Sequence, residues 1–150
     1  MTQVEPGNGW RIVVGVDGSP SSKHALRWAA RHAELTGAWL ELVTTWRYRT
    51  SFGWIAPYPA DFDPEADARR ALDETVEEVL GTSPSVEVRV TITEGHPAPV
   101  LVEVSDEADL LVVGSRGHGE FAGMLLGSVS EYCVTHAHCP VLVMRGRADS

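Results

Sequence analysis

Cysteine is scarce in this chain, with only Cys133 and Cys139 among 150 residues. Two thiols cannot build a disulfide framework and would stay reduced in a reducing compartment, so the expected location is the cytoplasm. Basic residues are also few, 12 Lys and Arg against 21 acids for a net charge of −9, and they do not cluster. Nucleic-acid backbones are bound by clustered cations, so a nucleic-acid partner is not expected. No apolar stretch approaches membrane-spanning length, and Met1 to Gly9 lacks the charged-then-apolar pattern of a secretory signal; no membrane association is expected. The chain has no Gly-Lys-Ser/Thr phosphate loop and no G-x-S-x-G elbow. The nearest string to an elbow, Val113-Gly-Ser-Arg-Gly117, lacks the first glycine. Fast phosphoryl transfer and serine hydrolysis are therefore unsupported.

What is present suits one globular domain, residues 1–150, whose 43% hydrophobic content can fill a sizeable core. Apolar runs alternate with helical patterns, the sequence form of a parallel sheet covered by helices. Strands are predicted at Ile12–Val16, Leu40–Trp46, across Val86, Val88, Val90 and Ile92, at Leu110–Val113 and at Val141–Met144. The strict alternation of the third run marks a strand with one wet face at a sheet edge. Helices are predicted at Ser21–Thr36, closed by Gly37, then over 65–80, near Ala98–Asp106, and from Val129. Eight acids between residues 61 and 78 face only Arg69 and Arg70, which reads as a solvated helix face. Arg47 to Asp63 has no regular period but carries Tyr48, Phe52, Trp54, Ile55 and Tyr58, most simply a packed Ω-loop.

Five strands and four helices in this order predict an α/β fold, a doubly wound five-stranded parallel sheet with helices on both faces. Its ligand crevice lies between the carboxyl ends of the first and fourth strands, where Asp17 and Gly114 meet. Asp17 could accept hydrogen bonds from a ribose or base, or only close the Asp-Gly turn and cap the next helix. After the fourth strand come Gly114, Gly117, nine residues, and Gly127-Ser128. Ser128 with Glu131 has the S-x-x-E form of a capping box, which makes Ser128 the expected N-cap of a helix from Val129. Free N–H groups of that first turn and the helix dipole favour an anion. Gly114, Gly117 and Gly127 permit positive φ and a close backbone approach to a ligand, and Arg116 and His118 add donors.

The string Gly117-x-Gly119-x-x-Ala122 imitates a dinucleotide fingerprint, but it follows the fourth strand and no helix opens at its end. A phospho-receiver domain would carry its acid after the third strand, where this chain has Glu94-Gly95-His96. His136 and His138, two apart on a helix, point in different directions and make no zinc site, and both cysteines read as core.

The complete set Gly114, Gly117, Gly127 and Ser128 resembles the motif of the universal stress protein family, specifically its ATP-binding branch. The opening Ile-Val-Val-Gly-Val-Asp17-Gly-Ser, Gly95-x-Pro97 and Cys139-Pro-Val-Leu-Val are similar too, so the resemblance covers Arg11 to about Arg145. It implies a Rossmann-like fold of the adenine nucleotide alpha hydrolase type, with ATP as the cofactor, with or without Mg. Asp17 would lie against adenosine, Thr45 would give backbone contacts to adenine, Gly114 and Gly117 would meet ribose and phosphate, and Gly127, Ser128, Val129 and Ser130 would hold the phosphates. The implied role is a nucleotide-dependent regulatory module in stress or growth arrest, a binding protein with at most slow hydrolysis. The alternatives are a cyclic-nucleotide binder and a nucleotide-free interaction module on the same fold. Members of the family pair through the last strand, and the apolar edge Val141–Met144 invites the same homodimer here.

Overall fold

The computed structural model describes residues 9–48, 50–51, 54–55, 60–116 and 126–146. At its centre is strand β1 (Arg11–Gly15), whose Ile12, Val13 and Val14 are wholly buried because helices cover both faces of the sheet. Its neighbours are β2 (Trp39–Trp46) and β6 (Leu110–Gly114), paired with it in parallel through Ile12↔Leu40 and Ile12↔Leu110. Strands β5 (Val88–Glu94) and β7 (Val141–Met144) form the edges, giving the all-parallel order β5-β2-β1-β6-β7. The alternating third run is thus the edge strand expected. It begins at Val88 rather than Val86, and Val88 and Ile92 pack inward while Val90 is exposed.

Helix α1 (Pro20–Thr36) buries Ala25, Leu26, Ala29, Ala30 and Ala33, a stripe of small side chains that lets it lie close on the sheet. Helix α2 (Pro64–Leu80) shares that face: Leu72 is buried, and Val76, Val79 and Leu80 pack against the same core. All eight acids between 61 and 78 are exposed on its outer side or just before it. A separate core lies on the opposite face, where Leu101 of α3 (Pro97–Val104) and Cys133 of α4 (Ser128–His136) meet Val13, Leu111 and Val113. Right-handed crossovers produce this division. Strands β1, β2 and β5 step one way across the sheet with α1 and α2 between them, whereas β6 and β7 step the other way. The reversal falls between β1 and β6, the expected crevice of a Rossmann-like, doubly wound sheet.

At the far end of the sheet, the Arg11 guanidinium donates to Glu41 at 2.6 Å and to the carbonyls of Val104 and Asp106 at 3.1 and 2.9 Å. One cation thereby ties β2 and the end of α3 to the start of β1. The irregular stretch after Trp46 contains a small antiparallel pair, β3 (Thr50–Ser51) and β4 (Trp54–Ile55), which periodicity did not signal because each strand is two residues long. Tyr48 meets Trp46 edge-on at 5.7 Å and lies 6.2 Å from Phe62, so the described ends of this stretch are packed together. Phe52 and Tyr58 lie outside the described residues.

Candidate functional site

A cleft of about 260 Å3 opens at the carboxyl ends of β1, β2 and β6. One side begins with Asp17-Gly18-Ser19-Pro20. Gly18 takes φ 80, a left-handed conformation that a β-carbon would oppose, and this bends the chain from β1 into α1. The Asp17 carboxylate accepts from the Ser19 N–H and hydroxyl through the same oxygen, Oδ1, at 2.9 and 2.5 Å. Ser19 is the N-cap of α1, its Oγ accepting from the Ser22 N–H at 3.3 Å. Asp17 therefore closes the turn but does not cap the helix. Its side chain is exposed at the cleft, where Oδ2 is the oxygen a ligand would meet.

The other side is built from the end of β6 and the start of α4. The N-cap of α4 is Gly127, one residue before the expected Ser128, because its carbonyl accepts the first helical bond, from the Glu131 N–H at 3.0 Å. Ser128 is the first helical residue and is exposed. The N–H groups of Ser128, Val129 and Ser130 accordingly precede the helix's own hydrogen-bond ladder, the arrangement that favours an anion. The Ser130 hydroxyl is engaged within the fold. It is buried and donates to the carbonyls of Ser115 and Gly127 at 3.0 and 3.2 Å, and the Gly127 N–H joins it on the Ser115 carbonyl at 2.5 Å. Ser130 thus pins the start of α4 to the end of β6, leaving its backbone rather than its side chain to face an anion.

At two of the motif glycines the positive φ that glycine permits is not used. Gly127 has φ −70 and Gly114 is not in the positive-φ region, so neither needs a left-handed backbone. At Gly114 a β-carbon would lie 2.7 Å from the Ser21 carbonyl carbon and 2.8 Å from the Ser22 nitrogen. What lies against the α-carbon of Gly114, where a β-carbon would stand, is the first turn of α1. Ser21 completes that junction by accepting from the Arg116 N–H at 3.3 Å and donating to the Arg116 carbonyl. Gly117 lies outside the described residues.

Asp17, Thr45, Gly114, Arg116, Gly127, Val129 and Ser130 therefore line one cleft, and Ser128 stands beside it. Sequence reasoning missed Ser19, Ser22 and Thr44, together with the wall that α2 supplies through Ala68, Ala71, Leu72 and Thr75. The signal for that wall was present, since these four positions repeat at the 3- and 4-residue spacing of one helix face. Thr44 fixes the floor by donating to the Val16 carbonyl at 2.7 Å, and the Val16 N–H donates to the Val43 carbonyl at 2.9 Å.

Residues 10–145 match the model of the universal stress protein family. The chain belongs to that family. A universal stress protein of Mycobacterium tuberculosis is 36% identical over 139 residues, which cover 92% of this chain and 49% of that protein. The chain thus spans about half the length of the curated relatives it matches. Among solved structures, a universal stress protein in complex with cAMP superposes with TM-score 0.63 at 29% identity, covering 93% of this chain and 98% of that one. A universal stress family protein from Arabidopsis thaliana with AMP bound gives TM-score 0.61 at 26% identity, covering 94% of both chains. The family membership accounts for the sheet order and for the glycine-bounded connection between β6 and α4.

Outside the cleft, burial pushes the Cys133 thiol up to about 11, with Cys139 nearby adding to the effect. Burial also raises Cys139, which packs against the core around Cys133 and is itself half-buried. Both cysteines are core-facing thiols, as their positions suggested. No helix among the described residues is long and apolar enough to cross a membrane.

Proposed function

We propose that this universal stress protein chain binds an adenine nucleotide in the cleft between β1 and β6, and that the nucleotide is ATP. One observation carries the reading: Asp17, at the end of β1, and the first turn of α4, some hundred residues later in the chain, line the same cleft at the point where the winding reverses. An anion belongs at α4, beside its unladdered N–H groups and Arg116. It does not belong at Asp17, where like charge would repel it. This polarity puts the phosphates at Val129 and Ser130, with Gly127 and Ser128 beside them, and adenosine against Asp17 and Thr45. Gly114 holds α1 and the loop together, and both it and Gly117 keep the ribose or phosphate role that their places in the motif imply. The relatives with AMP and with cAMP support an adenine ligand, and cAMP is the alternative that a test must include.

The chain acts as a binding module rather than an enzyme in this proposal. Among the described residues lining the cleft, Asp17 and Arg116 alone ionise, and Asp17 is committed to Ser19. Neither is placed as a general base for water. A Mg2+ arriving with ATP would be held largely by phosphate oxygens and water. We further propose a single cytoplasmic domain over the whole chain that pairs with a second copy through the β7 edge, and whose partners read the occupied state during stress or growth arrest.

Native mass spectrometry of the purified protein tests this directly. A dimer carrying the mass of ATP or another adenine nucleotide is the expected spectrum. A ligand-free species that also refuses added ATP, AMP and cAMP would leave the interaction module as the surviving function.

A further inference from the structure

Thr75 is 5% exposed, in the middle of α2, and its side chain lines the cleft. Helical threonines can return their hydroxyl proton to the carbonyl four residues back. Thr36 and Thr135 do so here, to His32 and Glu131 at 2.8 and 2.9 Å. Thr75 does not, and its hydroxyl has no hydrogen-bond partner among the described residues. No polar side-chain atom among them is both sealed from solvent and unpaired. The Thr75 hydroxyl therefore keeps some access to solvent, and the cleft that Thr75 lines is where a ligand could reach it.

The surroundings define that partner. Thr75 stands on the α1–α2 face of the sheet, while the anion-favouring start of α4 lies on the opposite face. Near Thr75 the cleft is walled by Ala68, Ala71 and Leu72 of the same helix face, apolar side chains that offer a flat group room and no charge. A phosphate would find no cation there, whereas a heteroaromatic ring would bury its faces and keep its polar edge for a hydroxyl that can both donate and accept. We infer that Thr75 contacts the nucleobase edge of the bound nucleotide and contributes to base selection. This inference rests on the adenine-nucleotide reading of the cleft.

Titration calorimetry with AMP and with ATP on the wild-type chain, Thr75→Val and Thr75→Ser separates the possibilities. Removing the hydroxyl while keeping the shape should weaken both nucleotides by about 3- to 10-fold, the usual worth of one neutral hydrogen bond. The ratio of ATP to AMP affinity should not change, because the base is common to both. Thr75→Ser should bind within about 2-fold of wild type, since one hydrogen bond is retained. Thr75→Val should keep or raise its melting temperature, because it removes a hydroxyl that no group among the described residues satisfies. The inference is overturned if Thr75→Val binds like wild type, if Thr75→Ser loses as much as Thr75→Val, or if the ATP to AMP ratio shifts. Failure of the wild-type chain to bind either nucleotide would overturn the nucleotide reading itself, and this contact with it.

Discussion

The Ser130 hydroxyl donates to the carbonyl of Ser115 at 3.0 Å, across the connection between β6 and α4. Two residues fifteen apart in sequence thus fix where α4 begins relative to the sheet, and with it where the N–H groups of the first helical turn point. The side chain of a residue expected at the phosphates sets the backbone of that turn.

Ser130→Ala tests this positioning role. The Ser115 carbonyl keeps the Gly127 N–H, so the loss should be that of one hydrogen bond, about 1 kcal/mol and a melting temperature lower by about 2–4 °C. AMP affinity should fall as well, because the start of α4 loses its tie to β6. Differential scanning fluorimetry with and without AMP reads both effects. Unchanged stability together with lost binding would return Ser130 to direct phosphate contact.

Gly114→Ala should damage the fold before it damages binding. Its β-carbon would press on the Ser21 and Ser22 backbone, which has no side-chain freedom to yield, at a cost of about 1–3 kcal/mol. Chemical denaturation should show that loss in the nucleotide-free protein. A variant of wild-type stability that fails to bind would show instead that Gly114 makes room for the ligand.

Asp17→Ala removes the acceptor of two Ser19 bonds as well as the proposed contact with adenosine. Nucleotide affinity should drop by about 1–3 kcal/mol, as when a charged hydrogen-bond partner is lost. Asp17→Asn, which retains an oxygen for Ser19, should leave the turn intact and separate the two roles. Calorimetric affinities equal to wild type in both variants would remove Asp17 from the site.

The cysteines give a pH prediction. The folded protein holds Cys133 protonated up to about 11, against an ordinary thiol value of 9.0. Stability from this difference is fully present below pH 9 and declines as pH rises toward 11, because the unfolded chain ionises first. Denaturation midpoints at pH 8, 9 and 10 should fall in that order, and more shallowly in Cys133→Ala. A thiol reagent at pH 8 should label native Cys133 slowly and the unfolded chain quickly.

The β7 edge predicts a dimeric mass in size-exclusion chromatography with light scattering at micromolar concentration. A monomeric mass would remove pairing through Val141–Met144.

Much of the architecture was legible in the sequence because it follows from local chemistry. Apolar runs four to eight residues long fixed the five strands of the main sheet, and Pro20, Pro64, Gly37 and Gly81 bound the two long helices as steric rules require. The alternation of strand and helix then implied the doubly wound sheet and the crevice between β1 and β6. Other features depended on atoms far apart in the chain, and only the tertiary structure decided them. The capping-box pattern favoured Ser128, but the tie between Ser130, Gly127 and Ser115 starts the helix one residue earlier. Gly114 makes room for the first turn of α1, which the sequence did not signal, since only packing shows which backbone lies opposite a missing β-carbon. The α2 wall with Thr75 was a helix face whose spacing was visible but whose destination was not. Periodicity states which residues share a side, and the sheet and its crossovers decide what that side meets.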